Sequence, residues 1–175
     1  MFAKSTKTLT GVAIIAIVLL ATPSPANAGA ADLSTARAAT AHFQQIDQAK
    51  GAGYGLFVDA AKIDCIASPG VGVMGIHYVK FSLLGDGAVD AATPEALVYQ
   101  RLPNEKLRLV AVEYIVPFST WAGSSAPSLF GQDFKLIPSP NRYGIPAFYE
   151  LHAWVWQNNP SGMFKDWNPN GSCAN

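Results

Sequence analysis

The centre of the chain reads Leu107-Arg-Leu-Val-Ala-Val-Glu113-Tyr-Ile-Val116, in which eight of ten residues are apolar. Valine, isoleucine and tyrosine are frequent in this run, and such residues favour β-strands. Three further runs have the same character, and turn residues separate them: Val73–Leu83, Ala96–Arg101 and Pro146–Gln157. We therefore predict four strands, with the central one over Leu107–Pro117 and a hairpin loop at Pro103-Asn-Glu-Lys106 before it.

One helix is predicted ahead of these strands. Residues 36–50 are rich in strong helix formers, and their apolar side chains recur at three- and four-residue spacing. Asp32 or Ser34 suits the N-cap, and Gly51 ends the helix. His42 in this helix is better interpreted as a surface residue than as a ligand. The order predicts an α+β fold: an N-terminal helix followed by a small antiparallel β-sheet or barrel, with long C-terminal loops.

The N-terminus has the pattern of a secretory signal peptide. Two lysines precede the apolar stretch Val12–Ala21, and Ala26-Asn-Ala28 matches a cleavage site. We predict a cleaved signal over residues 1–28, a single α+β domain over residues 29–175, and a periplasmic or secreted location. An uncleaved membrane anchor is the alternative, but two prolines and no stop-transfer charges follow the apolar stretch.

The charge balance excludes some classes of partner. The signal contains two of the twelve Lys and Arg residues and none of the twelve Asp and Glu residues, so the remaining chain is slightly acidic. Without a basic stripe we expect no nucleic-acid partner. No second long apolar segment follows the signal, so we expect no stable membrane span after cleavage. The oligomeric state is left open.

Two cysteines remain, Cys65 and Cys173. In an oxidising compartment such a pair indicates a disulfide. The bond would close a loop of more than 100 residues, for which chain entropy gives a stabilisation of about 4–5 kcal/mol. A redox or metal role is less favoured, because the thiols are not in a Cys-x-x-Cys arrangement.

The candidate site residues are polar groups inside apolar strands. Residues two apart in a strand share a face, so His77, Glu113 and the pair Glu150 and His152 each lie on an otherwise apolar face. Glu95 similarly aligns with Leu97 and Tyr99. A polar group buried without a partner costs about 1–3 kcal/mol. These side chains are therefore expected to meet one another, a metal, a ligand or water.

Three interpretations remain open. Two imidazoles and carboxylates commonly bind a divalent transition metal, and here the ligands would be His77, Glu113 and His152, with Glu95 and Glu150 as further candidates. The second interpretation is a metal-free pocket for a small apolar or aromatic ligand, covered by the Pro/Gly/Ser-rich segment 118–146. The third is a structural network of buried polar groups. The aromatic residues expected at a ligand pocket are Tyr78, Tyr99, Tyr114 and Trp154.

Catalysis is left undecided. No Gly-x-Ser-x-Gly motif is present. A glutamate and a histidine acting as an acid/base pair, or a metal-bound water, are the enzymatic alternatives.

Three motifs, taken in order, resemble a group of secreted bacterial proteins of uncharacterised function. They are Gly72-Val-Met-Gly-Ile-His-Tyr-Val79, Pro94-Glu-Ala-Leu-Val-Tyr99 and Leu107-Arg-Leu-Val-Ala-Val-Glu-Tyr114, and they follow a helix that ends in the turn Gly53-Tyr-Gly55. Lys80 stands where members of that group often carry Asn. The resemblance implies that His77, Glu95 and Glu113 belong to one set, and it implies no established activity.

Overall fold

The computed structural model describes Met1 and residues 25–173, so nearly all of the predicted signal peptide lies outside the described residues. The helical elements are α1 (Pro25–Thr40), a 3₁₀ turn (Ala41–Gln44), α2 (Ile46–Gly51) and a second 3₁₀ turn (Phe81–Leu83). The strands are β1 (Gly55–Leu56), β2 (Cys65–Ser68), β3 (Gly72–Val79), β4 (Ala96–Arg101), β5 (Leu107–Pro117), β6 (Ser128–Leu129), β7 (Gln132–Asp133), β8 (Lys135–Ile137) and β9 (Phe148–Ala153). No described helix has the length and apolar character needed to cross a membrane.

Seven of these strands form one antiparallel sheet. Its order is β1-β3-β4-β5-β9-β8, and β2 also pairs with β3. The predicted α+β fold, with a helix ahead of an antiparallel sheet, is confirmed, and β4 and β5 have the predicted bounds. The barrel alternative is wrong, because the order of the described strands is open and β8 does not return to β1.

The helical region differs from its prediction at its start and in its middle. It begins at Pro25, inside the predicted signal, and proline suits the first turn of a helix. It is also broken at Gln45, which is extended at φ −94° and ψ 107°. Ahead of the break, the Thr40 hydroxyl donates to the carbonyl of Ala36 at 2.7 Å, a bond that competes with helical geometry. His42 is exposed and stacks beside Phe43, as expected of a surface residue.

The helices cover one face of the sheet. Phe43 lies edge-on to Tyr54 with ring centroids 5.3 Å apart, and its carbonyl accepts a hydrogen bond from the Tyr99 hydroxyl at 2.7 Å. The main apolar core lies here and includes Tyr78, Tyr114 and Leu151. Burial on this face is what holds the helices against β3, β4, β5 and β9.

The other face of the sheet is covered by loops. A small cluster of Val98, Val110, Ala111 and Trp154 packs on it. The Trp154 indole nitrogen donates to the carbonyl of Lys165 at 2.7 Å, which holds the C-terminal segment in place. The segment 118–146, predicted as a loop, contains three short strands, and β8 adds to the edge of the sheet beside β9.

Two cross-links fix these loops. Cys65 and Cys173 form the predicted disulfide, with Cα atoms 5.7 Å apart. Asp59 accepts backbone hydrogen bonds from Ala61 and Ile63 and binds the Arg142 guanidinium at 2.9 Å. The backbone donor of Ile63 and the guanidinium lower the pKa of the Asp59 carboxyl.

Candidate functional site

Strand pairing places four polar side chains on the loop-covered face, those of His77, Glu113, Glu150 and His152. Glu113 in β5 lies directly opposite His152 in β9, and Ala96 of β4 lies on the other side of Glu113. His77 in β3 belongs to the adjacent row, opposite Val98. Cross-strand partners point to the same side of a sheet, so these rows face the loops together. The small side chain of Ala96 leaves room for His77 to reach Glu113 across β4.

Three of these residues converge on one point. His77, Glu113 and His152 each offer a ligand atom within 4.8 Å of the other two. His77 Nε2 lies 3.3 Å from Glu113 Oε2, and the two imidazole rings have centroids 6.3 Å apart. All three residues are buried, with exposed fractions of 5%, 4% and 1%. The arrangement matches the minimum set of side chains that holds a transition metal in many proteins.

Several atoms of this cluster lack a hydrogen-bonding partner. They are His77 Nδ1 and both ring nitrogens of His152. Buried polar atoms of folded proteins are nearly always paired, so such atoms call for an explanation. A bound ion would accept a lone pair from one ring nitrogen of His152 and so give that atom a partner.

Burial keeps the cluster close to neutral. It lowers the pKa of His77 to about 4, although the nearby Gly75 carbonyl acts against this shift. Burial, with His77 and Lys135 nearby, lowers the pKa of His152 well below its ordinary range. Both imidazoles are therefore uncharged at neutral pH, which is the form that binds metals.

The carboxyl groups shift in the opposite direction. Burial and the adjacent Glu150 raise the pKa of Glu113 well above its ordinary range. Burial also raises the pKa of Glu150, with a further contribution from Asp166. Glu113 and Glu150 are in hydrogen-bonding contact, and a bond between two carboxyl groups requires one of them to carry a proton. We assign that proton to Glu113, because the Lys135 ammonium lies 3.2 Å from Glu150 and stabilises the charged form of that carboxyl.

A salt bridge covers the outer side of the cluster. Lys135 Nζ lies 3.2 Å from Glu150 Oε1 and also pairs with Asp166. Lys135 lies opposite Glu150 in the β8–β9 pairing, whereas Asp166 comes from the C-terminal segment. Neither residue was expected from the sequence, because both lie in stretches without periodicity. The only available signal was their charge in an otherwise weakly charged region.

The cluster separates two cavities. A polar cleft of about 490 Å³ reaches Glu150 and His152 and is bordered by Lys135 and Asp166. An apolar cavity of about 270 Å³ reaches His77 and Glu113 from the opposite side. The candidate site is therefore bordered by a polar cleft and by an apolar cavity.

Glu95 does not join the cluster. Its position aligns with Leu97 and Tyr99, whose side chains lie in the helix-side core. Its Oε2 accepts the backbone N–H of Ile115 at 2.9 Å. Burial raises the pKa of Glu95 to about 7. The set of five converging residues expected from alternation is therefore reduced to four, with Glu95 on the other face.

The four predicted aromatic residues also divide between the two faces. Tyr78, Tyr99 and Tyr114 lie in the helix-side core, and the hydroxyl of Tyr114 is bonded to the Ala91 carbonyl. Trp154 lies beside His152, with ring centroids 4.9 Å apart. The tyrosine that borders the cluster is instead Tyr143, whose pKa is raised by burial and by Glu113.

Two arginines, Arg108 and Arg142, bind away from Glu113. Arg108 donates to Gln157 at 2.8 Å, and Arg142 binds Asp59.

Comparisons of the chain with protein-family models, with curated proteins and with solved structures find no match. The candidate site consequently stands on its geometry, and the resemblance of the three motifs to secreted bacterial proteins stays a prediction.

Proposed function

We propose that the protein binds one divalent transition metal ion through His77, Glu113 and His152. The observation that carries this proposal is the convergence of three buried ligand atoms from three strands within 4.8 Å. Ligands about 2.1 Å from a tetrahedral zinc are about 3.4 Å from each other. The His77–Glu113 distance of 3.3 Å already fits. The remaining separations are at most 4.8 Å, so they need to shorten by up to about 1.4 Å, a side-chain adjustment.

The donor set favours zinc, iron(II), copper(II) or manganese(II) over calcium or magnesium, which prefer oxygen ligands. Three protein ligands leave at least one coordination position for water or another molecule. Glu150 lies within reach of Glu113 and orients its carboxyl, as a second carboxylate commonly does beside a metal ligand. Binding would displace the proton held by Glu113.

The location of the protein is part of the same proposal. A signal peptide over residues 1–28 would deliver the chain to the periplasm or the exterior, where the disulfide between Cys65 and Cys173 is stable. Mass spectrometry of the mature protein recovered from a periplasmic fraction tests this step. A chain that begins at Gly29 supports export, whereas an intact N-terminus in the cytoplasm contradicts it.

Metal binding is tested on protein stripped with EDTA. Titration with zinc, followed by calorimetry and by elemental analysis after desalting, is expected to give one ion per chain. His77→Ala and His152→Ala should each weaken binding at least tenfold. His42→Ala is the matched control, because the chain has three histidines and this one is exposed. Binding that is absent in the folded wild type, or unchanged in His152→Ala, would exclude the proposed site.

A further inference from the structure

We infer that the apolar cavity beside the cluster binds a small, uncharged, mainly apolar molecule that carries one hydrogen-bonding head group. The head would lie against His77 and Glu113, and the apolar body would lie among the side chains of the opposite wall. This inference goes beyond metal binding and does not require it, since the cavity exists without an ion.

The walls of the cavity are strongly apolar. Phe57, Val79, Ile115 and Phe148 line it, and the loop from Pro117 to Ala147 closes one side. Its polar lining consists of His77 and Glu113 at one end, together with Tyr143 and Ser119. A few polar groups that converge at the end of an apolar pocket are typical of small-molecule sites.

Two polar side chains lie side by side at the end of the cavity. His77 is 5% exposed, and its Nδ1 has no partner. Glu113 is 4% exposed, and its Oε2 lies 3.3 Å from His77 Nε2. A hydroxyl group both donates and accepts hydrogen bonds, so it can bind an imidazole nitrogen and a carboxyl oxygen together.

The size of the cavity limits the ligand. Its volume of about 270 Å³ exceeds the roughly 150 Å³ of an engineered apolar cavity that binds benzene. A single ring with a short alkyl chain therefore fits, whereas a long lipid or a peptide does not.

The charge around the cavity argues against an anionic head group. None of the described residues that line the cavity is a lysine or an arginine. Arg142 is held by Asp59 at 2.9 Å, and Lys135 is bound to Glu150 on the far side of the cluster. A buried anion without a cation pays a large desolvation cost, so a phenol or an alcohol is favoured over a carboxylate.

An exposed aromatic residue marks the entrance. Phe81, in the 3₁₀ turn after β3, borders the cavity and is 61% exposed. Leu84 borders the cavity beside it, and Ser119 lines the opposite wall. An apolar molecule that enters would cover part of this surface.

Three probes with the same apolar body separate the alternatives: 4-propylphenol, 4-propylbenzoate and propylbenzene. Calorimetry or NMR titration on EDTA-treated protein is expected to show one site for the phenol. The benzoate and the hydrocarbon should bind at least tenfold more weakly. Equal or tighter binding of the benzoate, with or without zinc, would overturn the uncharged head group.

Two substitutions locate the site. Ala147→Phe fills the cavity from the loop, and Ser119→Trp obstructs it from an exposed position, where folding is not at risk. Each should weaken binding of 4-propylphenol at least tenfold. Ala122→Phe, on an exposed loop position, is the control and should leave binding unchanged.

The test separates this inference from the metal proposal. Phenol binding to a protein that takes up no zinc would support the cavity and reject the metal site. Zinc binding with no phenol binding, or with phenol binding unaffected by both cavity variants, would reject the cavity and leave the metal site standing.

Discussion

Replacing His152 with phenylalanine should make the metal-free protein more stable. His152 is 1% exposed, and both of its ring nitrogens lack a partner. An unsatisfied buried polar group costs about 1–3 kcal/mol, and an apolar ring of similar shape removes that cost. We expect the free energy of unfolding of the EDTA-treated variant to rise by about 1–3 kcal/mol, which corresponds to roughly 3–10 °C in Tm for a domain of this size.

Zinc should reduce the stability advantage of the variant. The wild type is expected to gain about 2.7 kcal/mol at a zinc concentration 100 times its Kd. The variant, whose binding should be at least tenfold weaker, should gain no more than about 1.4 kcal/mol at that concentration. Urea unfolding followed by circular dichroism, with EDTA and with zinc, measures both values. A zinc-dependent loss of the advantage distinguishes a metal-binding cluster from a structural network.

The control for this experiment is His42→Phe. His42 is exposed, so its substitution should change stability by less than about 0.5 kcal/mol under both conditions. If His152→Phe instead lowers the stability of the EDTA-treated protein by 1 kcal/mol or more, the histidine contributes to a satisfied polar core. The interpretation of its unpartnered nitrogens would then be wrong.

Three further substitutions test the fold. The double variant Cys65→Ser/Cys173→Ser should lose about 4–5 kcal/mol in urea unfolding, because the bond closes a loop with a sequence separation of 108; a loss below about 1 kcal/mol would contradict the chain-entropy estimate. Asp59→Asn should destabilise the protein at neutral pH and not in strong acid. The folded-state pKa of Asp59 is lowered, so its carboxylate stabilises the fold above the unfolded-state pKa of about 3.9, and that stabilisation is lost as pH falls through the folded-state value. If the difference in unfolding free energy between the wild type and Asp59→Asn did not change with pH, this prediction would be wrong. Gly75→Ala should lower the free energy of unfolding by more than about 1 kcal/mol, because φ is +127° at this glycine and a Cβ would lie 2.6 Å from a β4 backbone oxygen. Gly85→Ala is the control, since a Cβ there meets no atom within 4 Å. Equal effects of the two substitutions in thermal unfolding would contradict the predicted crowding at Gly75.

The four longest strands, β3, β4, β5 and β9, could be predicted from the sequence because each has a strong local signal, whereas the five short strands were not predicted. β4 and β5 are continuous apolar runs with turn residues at both ends, and their bounds follow from composition. The helix was harder to predict. Most of its residues favour helix. The break at Gln45 follows a turn that is tied to the rest of the fold, where the Trp156 indole nitrogen donates to the Thr40 hydroxyl at 3.1 Å.

The candidate site also could be predicted from the sequence only in part. Alternation correctly grouped Glu150 with His152, since residues two apart in a strand always share a face. It could not assign Glu95, because the face to which that residue points depends on the pairing of Ala96 with Glu113. A shift of one residue in that register would exchange the two faces.

By itself, the sequence determined the four longest strand segments, the cysteine pair and the side chains that share a face within each of these strands. These follow from local geometry and composition. Only the tertiary structure decided that His77, Glu113 and His152 meet, that Glu95 lies apart, and that Lys135 and Asp166 cover the cluster. The physical reason is that register, strand order and loop placement depend on contacts between residues far apart in the chain, which local patterns do not encode.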